Sequence, residues 1–517
     1  MRSPLQTSLR PSSRPHSSVA PYKGWNTASP QASLNEAFAL FLDNFYPVAG
    51  GVELRKGSRL QATHTDSTRN FRSLMHYSPV SGTDKLFAGA EDGIYDVTAG
   101  GTVSAPVTAG TANTWQGVNI TTAGGNFLWC CNATDKCRVY NGSTWTLLDG
   151  TSTPALSGVD TLKVQQATLF KRRLFMFERN SLSFWYLGVN SIGGTAVEFP
   201  VGALCSRGGY IVAIDSWTYE ASDGPGDFFA IFTSEGQAIV YQGTDPSSAA
   251  DWALVGVYDV GTPLGLAPTT KVNGDLCILT VNGVLSMSRI IKDAGIAAAS
   301  ISGNIDPTLQ AYALENGAEF GWGLQYFAAQ SMLIVNVPVG LKRSWQVVLN
   351  ARTGAWCRFT GMDAEAWTVG GTSLYFAHTT KVCEGWTGTD DRGAAIIAKV
   401  QQAPTYFNAA GGRHFVSLVR VNANVAGSFP LQLGLARDFS AGSYSGSLTT
   451  MTQNVALWDT ALWDSAVWAE DGASSSVWRS VAHFPGHVIS FKMRLSAKGV
   501  AFTWYSTDYI LRSGGML

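Results

Sequence analysis

Few residues in this chain have the types and spacing that chemistry needs. His483 and His487 lie four apart, a spacing that places two imidazoles on one face of a helix. The intervening Phe484-Pro485-Gly486 argues against a helix, so a structural role is expected over a metal site. Asp390-Asp391 and Glu235 are carboxylates of the kind that a glycosidase pairs as acid and base. They sit in turn-like sequence, where acidic side chains ordinarily serve turn geometry. Lys171-Arg172-Arg173 is a compact basic run at a strand start, read as a solvated edge guard rather than a phosphate site. The chain has no nucleophile elbow, no H-E-x-x-H and no Gly-rich phosphate loop. The expectation is therefore a protein that is not an enzyme and that uses no cofactor and no metal.

The elements that carry these residues are hairpins. Leu374-Tyr375-Phe376-Ala377-His378 turns at Thr379-Thr380-Lys381 into Val382-Cys383-Glu384-Gly385-Trp386. Two aromatic and β-branched runs around a polar turn are a strand–turn–strand signal. Similar units have first strands starting at 86, 127, 174, 228, 276, 332 and 374, with gaps of 41, 47, 54, 48, 56 and 42 residues. A period of about 40–50 residues made of hairpins predicts the four-stranded blades of a β-propeller. The expected fold is all-β: a propeller of about seven blades (six is the alternative), a C-terminal β-sandwich-like domain and an extended N-terminal arm.

The expected divisions follow composition. Residues 1–30 hold seven Ser, five Pro and four Lys/Arg with no acid, an arm that cannot build a core alone. Residues 31–62 read as a short helix, from the Ser33–Glu36 capping-box spacing and the run Ala37–Leu42, followed by a strand over Val52–Gly57. Residues 63–398 hold the propeller, with a helical or irregular insertion over Ile290–Gln310 at the widest gap. Residues 399–517 lose the period and alternate over longer runs, as in a sandwich.

Composition limits the functions available. Charged residues are 14% and the net charge is −1, so no global basic field favours tight nucleic-acid binding. Low charge with 17 Trp and 55 Gly fits an assembly component that hides surface against partners. The seven cysteines form no CxxC pair, and most lie in apolar strand patterns, which fits a reducing compartment. No apolar run is long enough for a transmembrane helix. Two places are candidate partner contacts. Arg55, Lys56 and Arg59 form a basic cluster. Trp458, Trp463 and Trp468 recur every five residues, a step that gathers them on no single face of a helix or a strand. Trp in that position favours an interface.

Three stretches together carry a resemblance. Asp43-Asn44-Phe45-Tyr46-Pro47 with Val52-Glu53-Leu54-Arg55-Lys56-Gly57 is one. Val240-Tyr241-Gln242-Gly243-Thr244-Asp245-Pro246, with Trp252, Val255-Gly256 and Asp259-Val260-Gly261-Thr262-Pro263-Leu264-Gly265, is the second. The Trp-rich C-terminus ending Asp508-Tyr509-Ile510-Leu511-Arg512-Ser513-Gly514-Gly515-Met516-Leu517 is the third. They resemble the tail nozzle and tail-hub (tail tubular protein B-like) proteins of short-tailed bacteriophages. The resemblance implies a virion tail protein assembled in the host cytoplasm. It implies a homo-oligomeric ring, hexameric, below portal and adaptor. The implied partners are the tail adaptor, tail fibre or spike proteins, and double-stranded DNA that passes without sequence recognition. A carbohydrate-binding or carbohydrate-cleaving propeller, as in a receptor-binding protein or depolymerase, is the alternative.

Overall fold

A computed structural model describes residues 13–221, 224–293, 295–407, 412–440, 444, 449–452, 474–475, 477–481 and 485–514. The chain divides into two compact units. One is drawn from 58–347 and 362–387, the other from 1–57, 348–361 and 388–517.

The larger unit is a seven-bladed propeller. The first strands of the blades are Ser73–Tyr77, Gln116–Thr122, Val164–Phe170, Ile211–Ala221, Thr269–Val272, Gly323–Phe327 and Ala366–Gly370. Each contacts the next, and the last contacts the first, so the ring is closed. The second strands are Lys85–Ala90, Gly125–Cys131, Arg173–Glu178, Gly224–Thr233, Asp275–Thr280, Met332–Pro338 and Ser373–His378. These seven contain the seven predicted hairpin starts. Second strands are buried on both faces, and such strands read as dense apolar runs. Their cores lie between blades. Phe175 and Phe184 of the third blade meet Phe229 and Trp252 of the fourth, with Phe175 and Phe229 centroids 4.6 Å apart. The fourth and fifth share Ala230, Val240, Ile278 and Leu285.

Two features of the ring lie outside the hairpin period. The strand Ser58–His64 pairs antiparallel with Lys381–Gly385, so the entering chain completes the last blade. This ties the beginning of the ring to its end and covers a sheet edge that would otherwise be bare. The fifth blade has three strands, and its chain continues into helices Met287–Asp293, Ile296–Ala299 and Asp306–Asn316. This agrees with the expected helical insertion.

The smaller unit is a sandwich of two sheets. One sheet has the order Phe45–Val48, Gly51–Leu54, Ala501–Gly514, Arg413–Ala426 and Ser474–Ser475, with Ser13–Val19 also on Ala501–Gly514. The other carries Ala355–Phe359, Gly24–Trp25, Phe38–Asp43, Ile396–Gln402, Ile489–Ala497, Ser428–Arg437 and Thr449–Thr452. Aromatic rings join them: Phe502 packs on Phe429 at 5.5 Å, and Trp504 on Phe491 at 5.5 Å. The sandwich was expected from residues 399–517 alone. The structure recruits N-terminal strands as well, because the 14-residue strand Ala501–Gly514 needs neighbours along its length, and Ala355–Phe359 of the 348–361 segment joins the other sheet beside Gly24–Trp25 and Phe38–Asp43. Of the expected N-terminal arm, Ser13–Val19 is a strand on Ala501–Gly514, with Ser13 opposite Arg512.

The short helix expected near 34–42 is a strand instead. Ser33 Oγ donates to the Pro30 carbonyl, and Glu36 accepts from Ser18 Oγ, so neither serves a helix cap. The apolar run Phe38–Asp43 then pairs with Ile396–Gln402. A short apolar run satisfies either element, and the available ladder decides.

Candidate functional site

A cavity of about 740 Å³ lies on the propeller axis. Leu74, Gln116, Gln165, Val212, Ala267, Gln325 and Thr368 line it, one from or next to each first strand. Small and amide side chains dominate where seven strands converge. The axis is not an open pore: Gln116 Nε2 of the second blade donates to the Leu266 carbonyl at the entry to the fifth, at 2.8 Å.

One side of the cavity carries charge and aromatic rings. Arg72, just before the first blade, sits 3.4 Å from Glu365 at the start of the seventh. The Arg72 guanidinium lies over the Phe320 ring at 5.0 Å, a cation–π distance. Glu365 is 9% exposed, and burial raises its carboxyl above the ordinary range although Arg72 opposes the shift. Glu365 Oε2 and Arg72 Nε, both buried, face each other as the two ends of this ion pair. The wall is held from behind by Asn336. Its Nδ2 donates to the Gly321 and Ala364 carbonyls at 2.8 and 2.9 Å, and its Oδ1 accepts from Trp367 Nε1 at 2.9 Å. This fixes the chain on both sides of the cavity's polar corner.

The second site is a polar knot in the sandwich unit, built on the first resembling stretch. Asn44 takes a left-handed backbone (φ 59°), and its Oδ1 accepts from Arg55 Nε at 2.8 Å and from the Thr360 N–H at 2.8 Å. Arg55 also donates to the Lys56 and Thr360 carbonyls and, as a fork, to both oxygens of Asp391 at 3.0 and 2.6 Å. All five guanidinium N–H groups are thereby used. Beside it, Asp43 receives Arg358 in a second fork, at 2.8 and 2.9 Å.

This corrects the expected basic patch. Arg55 has a side chain 0% exposed and offers nothing to a partner surface, because its charge is matched internally by Asp391. Lys56 is exposed. Arg59 is exposed and pairs with Glu384 on the neighbouring strand. Trp458, Trp463 and Trp468 lie outside the described residues, as does His483. His487 is there, with its backbone N–H donating to Asp438. Asp391 proves to be the buried counter-ion of Arg55, while Asp390 Oδ1 caps the Gly393 N–H in the turn. The basic run 171–173 disperses into separate pairs, Lys171 with Asp227 and Arg173 with Asp245. Among the described residues no group of three His, Cys, Asp or Glu could hold a metal ion, and no helix is long and apolar enough to cross a membrane.

Sequence reasoning did not single out Arg72, Glu365 or Asn336. They are 264 to 293 positions apart along the chain for the Arg72 pairs, and only ring closure brings them together. The one local signal is the Ala364-Glu365-Ala366-Trp367 run, where a carboxylate interrupts an apolar strand start.

No family profile matches the chain, and no curated protein matches it either. Solved structures with a similar course include BBS1N in complex with ARL6DN, at 11% identity, 66% of this chain, 98% of that chain and TM-score 0.38. Chaetomium thermophilum Raptor gives 10%, 64%, 29% and 0.38. YCF48 bound to D1 peptide gives 11%, 69%, 99% and 0.35. The propeller assignment rests on the strand order and the closed ring of blades.

Proposed function

We propose that this chain is a structural, non-enzymatic virion protein of a short bacteriophage tail. In this reading it forms a nozzle or hub ring, hexameric, that closes the DNA channel below portal and adaptor. The genome leaves through that ring. The observation that carries the reading is the use made of the resembling stretches. Asp43, Asn44 and Arg55 form the buried knot described above, which joins three distant chain segments. Gly265, in the second stretch, has a φ of +78° and so little room that a Cβ would lie 2.0 Å from the Trp322 carbonyl oxygen. Trp252 stacks on Tyr241 at 5.3 Å in the core between blades. The residues that carry the resemblance therefore do architectural work, as scaffold signatures should.

Duplex DNA would pass between copies and not through one propeller. The axial cavity is crossed by the Gln116–Leu266 bond, and the major groove of a duplex alone is about 12 Å wide. Net charge near zero favours sliding, since many Lys/Arg contacts would hold phosphates. Fibre or spike proteins and the adaptor are the further partners, and the virion tail is the location. Electron microscopy of the purified full chain tests the proposal. A closed ring with a central opening wide enough for a duplex is expected. A monomer at all concentrations, or a ring without an opening, would refute it.

A further inference from the structure

We infer that the bare outer strand of the fourth blade, Ala253–Asp259, is where a second copy of this chain adds an extended strand. The inference rests on the ring reading above and names the surface that joins the subunits.

Blade edges elsewhere in the propeller unit are protected. In the first three blades the outer strands are short: Thr108–Ala109, Trp145–Leu147 and Val197–Pro200, the last ending in a proline. Short strands and proline are ordinary protections of a sheet edge. The last strand of the fifth blade, Gly283–Ser286, is covered by the helices that follow it. The seventh blade ends in Ser58–His64, seven residues long, and Gly101–Val103 covers that strand in parallel. Ala253–Asp259 is equally long, yet among the described residues only Gln237–Gln242 pairs with it. Leu254, Val255 and Val257 are 44%, 36% and 38% exposed along it. No lysine or proline guards them.

The main chain of this edge is open. The Val260 N–H donates to the Gly236 carbonyl at 2.8 Å. Alternate residues bond across an antiparallel ladder, so Tyr258 and Gly256 bond inward to Ala238 and Val240. The N–H groups of Val257 and Asp259 therefore point outward. A bulge at Val255 interrupts the ladder and leaves Gly256–Asp259 regular. That is room for a strand the size of Gly101–Val103.

The edge fits an uncharged strand. Trp252 to Tyr258 carry no charge. At the two ends, Asp251 accepts from the Thr244 and Asp245 N–H groups at 2.8 and 2.7 Å, and Asp259 pairs with Arg207 at 2.9 Å. An approaching chain meets main-chain donors and acceptors and apolar side chains, with no unmatched charge, which are the conditions of strand addition. The size of the edge points to a contact repeated between copies. Seven residues span about 24 Å, which is little for a free pair. A closed ring makes the same contact at every joint and closes the last one intramolecularly.

The test uses the full chain. Mass photometry over a dilution series reads assembly, and thermal unfolding reads the fold. Val255→Lys combined with Val257→Lys puts a common edge guard on two exposed positions. The thermal midpoint of the dissociated chain should hold, and assembly should need about tenfold more protein or fail. Leu254→Lys alone serves if the double variant is unstable. Hydrogen exchange of the wild type needs no variant: the Val257 and Asp259 amides should exchange freely in the diluted chain and slowly in the assembled one. A ring that the folded variant forms as readily as the wild type would overturn this inference and leave the ring reading standing. So would a ring in which 253–259 exchanges as fast as in the dissociated chain. A dimer that the variant dissolves supports the edge contact and refutes the ring. A wild-type chain that stays monomeric at every concentration refutes both.

Discussion

Replacing Arg55 with Ala should unfold the sandwich unit far more readily, and the structure gives the size of the effect. The guanidinium makes five hydrogen bonds, two of them to Asp391, in a place with no solvent access. Removing one partner of a buried ion pair costs about 3–5 kcal/mol, because the other charge keeps its desolvation penalty. For a unit of about 200 residues, that lowers the thermal midpoint by on the order of 10 °C. Arg55→Lys keeps the charge but cannot fork or reach all the acceptors, and should cost about 2–3 kcal/mol. Arg55→Met combined with Asp391→Leu should recover much of the loss, since an apolar pair of similar volume carries no buried charge. Thermal unfolding followed by near-ultraviolet circular dichroism, with hydrogen exchange over 45–54 and 396–402, reads all three variants. If Arg55→Ala stays within about 1 kcal/mol of the wild type, the knot contributes little and the reasoning fails.

Three further outcomes follow from the same physics. Gly265→Ala should destabilise the propeller by at least about 2 kcal/mol, from the positive φ and the contact with the Trp322 carbonyl; urea unfolding checks it, and a neutral result would contradict the tight approach. All seven cysteines are buried, and burial pushes the Cys277 thiol up to about 12 and the Cys131 and Cys357 thiols well above their usual value; a thiol reagent such as DTNB should therefore leave the native chain nearly untouched and titrate seven thiols after denaturation. Glu365 has its folded-state pKa raised, so the folded chain holds that proton more tightly than the unfolded one; its contribution to stability is greatest below the ordinary value of 4.5 and declines as pH rises through the folded value. Stability of the wild type relative to Glu365→Gln should thus fall with rising pH, and a difference that grows with pH would reverse the assigned sign.

What the sequence determined by itself is the number and place of the blades. Each second strand carries a dense apolar run and returns within two to six residues into a third strand, and those are local properties. Leu86, Phe127, Leu174, Phe228, Leu276, Met332 and Leu374 all fall within such strands. The helical stretch after the fifth blade was likewise visible in the small residues near 294–299. The tertiary structure decided everything that depends on distant partners. Phe38–Asp43 is a strand because Ile396–Gln402 offers a ladder, which no local pattern records. The sandwich takes strands from both ends of the chain for the same reason. Arg55 looked like a surface charge because its counter-ion Asp391 is 336 residues away. Arg72 and Glu365 meet only because the seventh blade returns to the first. Periodicity reports how a segment buries its own faces, whereas the pairing of single polar groups depends on where the closed ring and the two sheets bring the chain back.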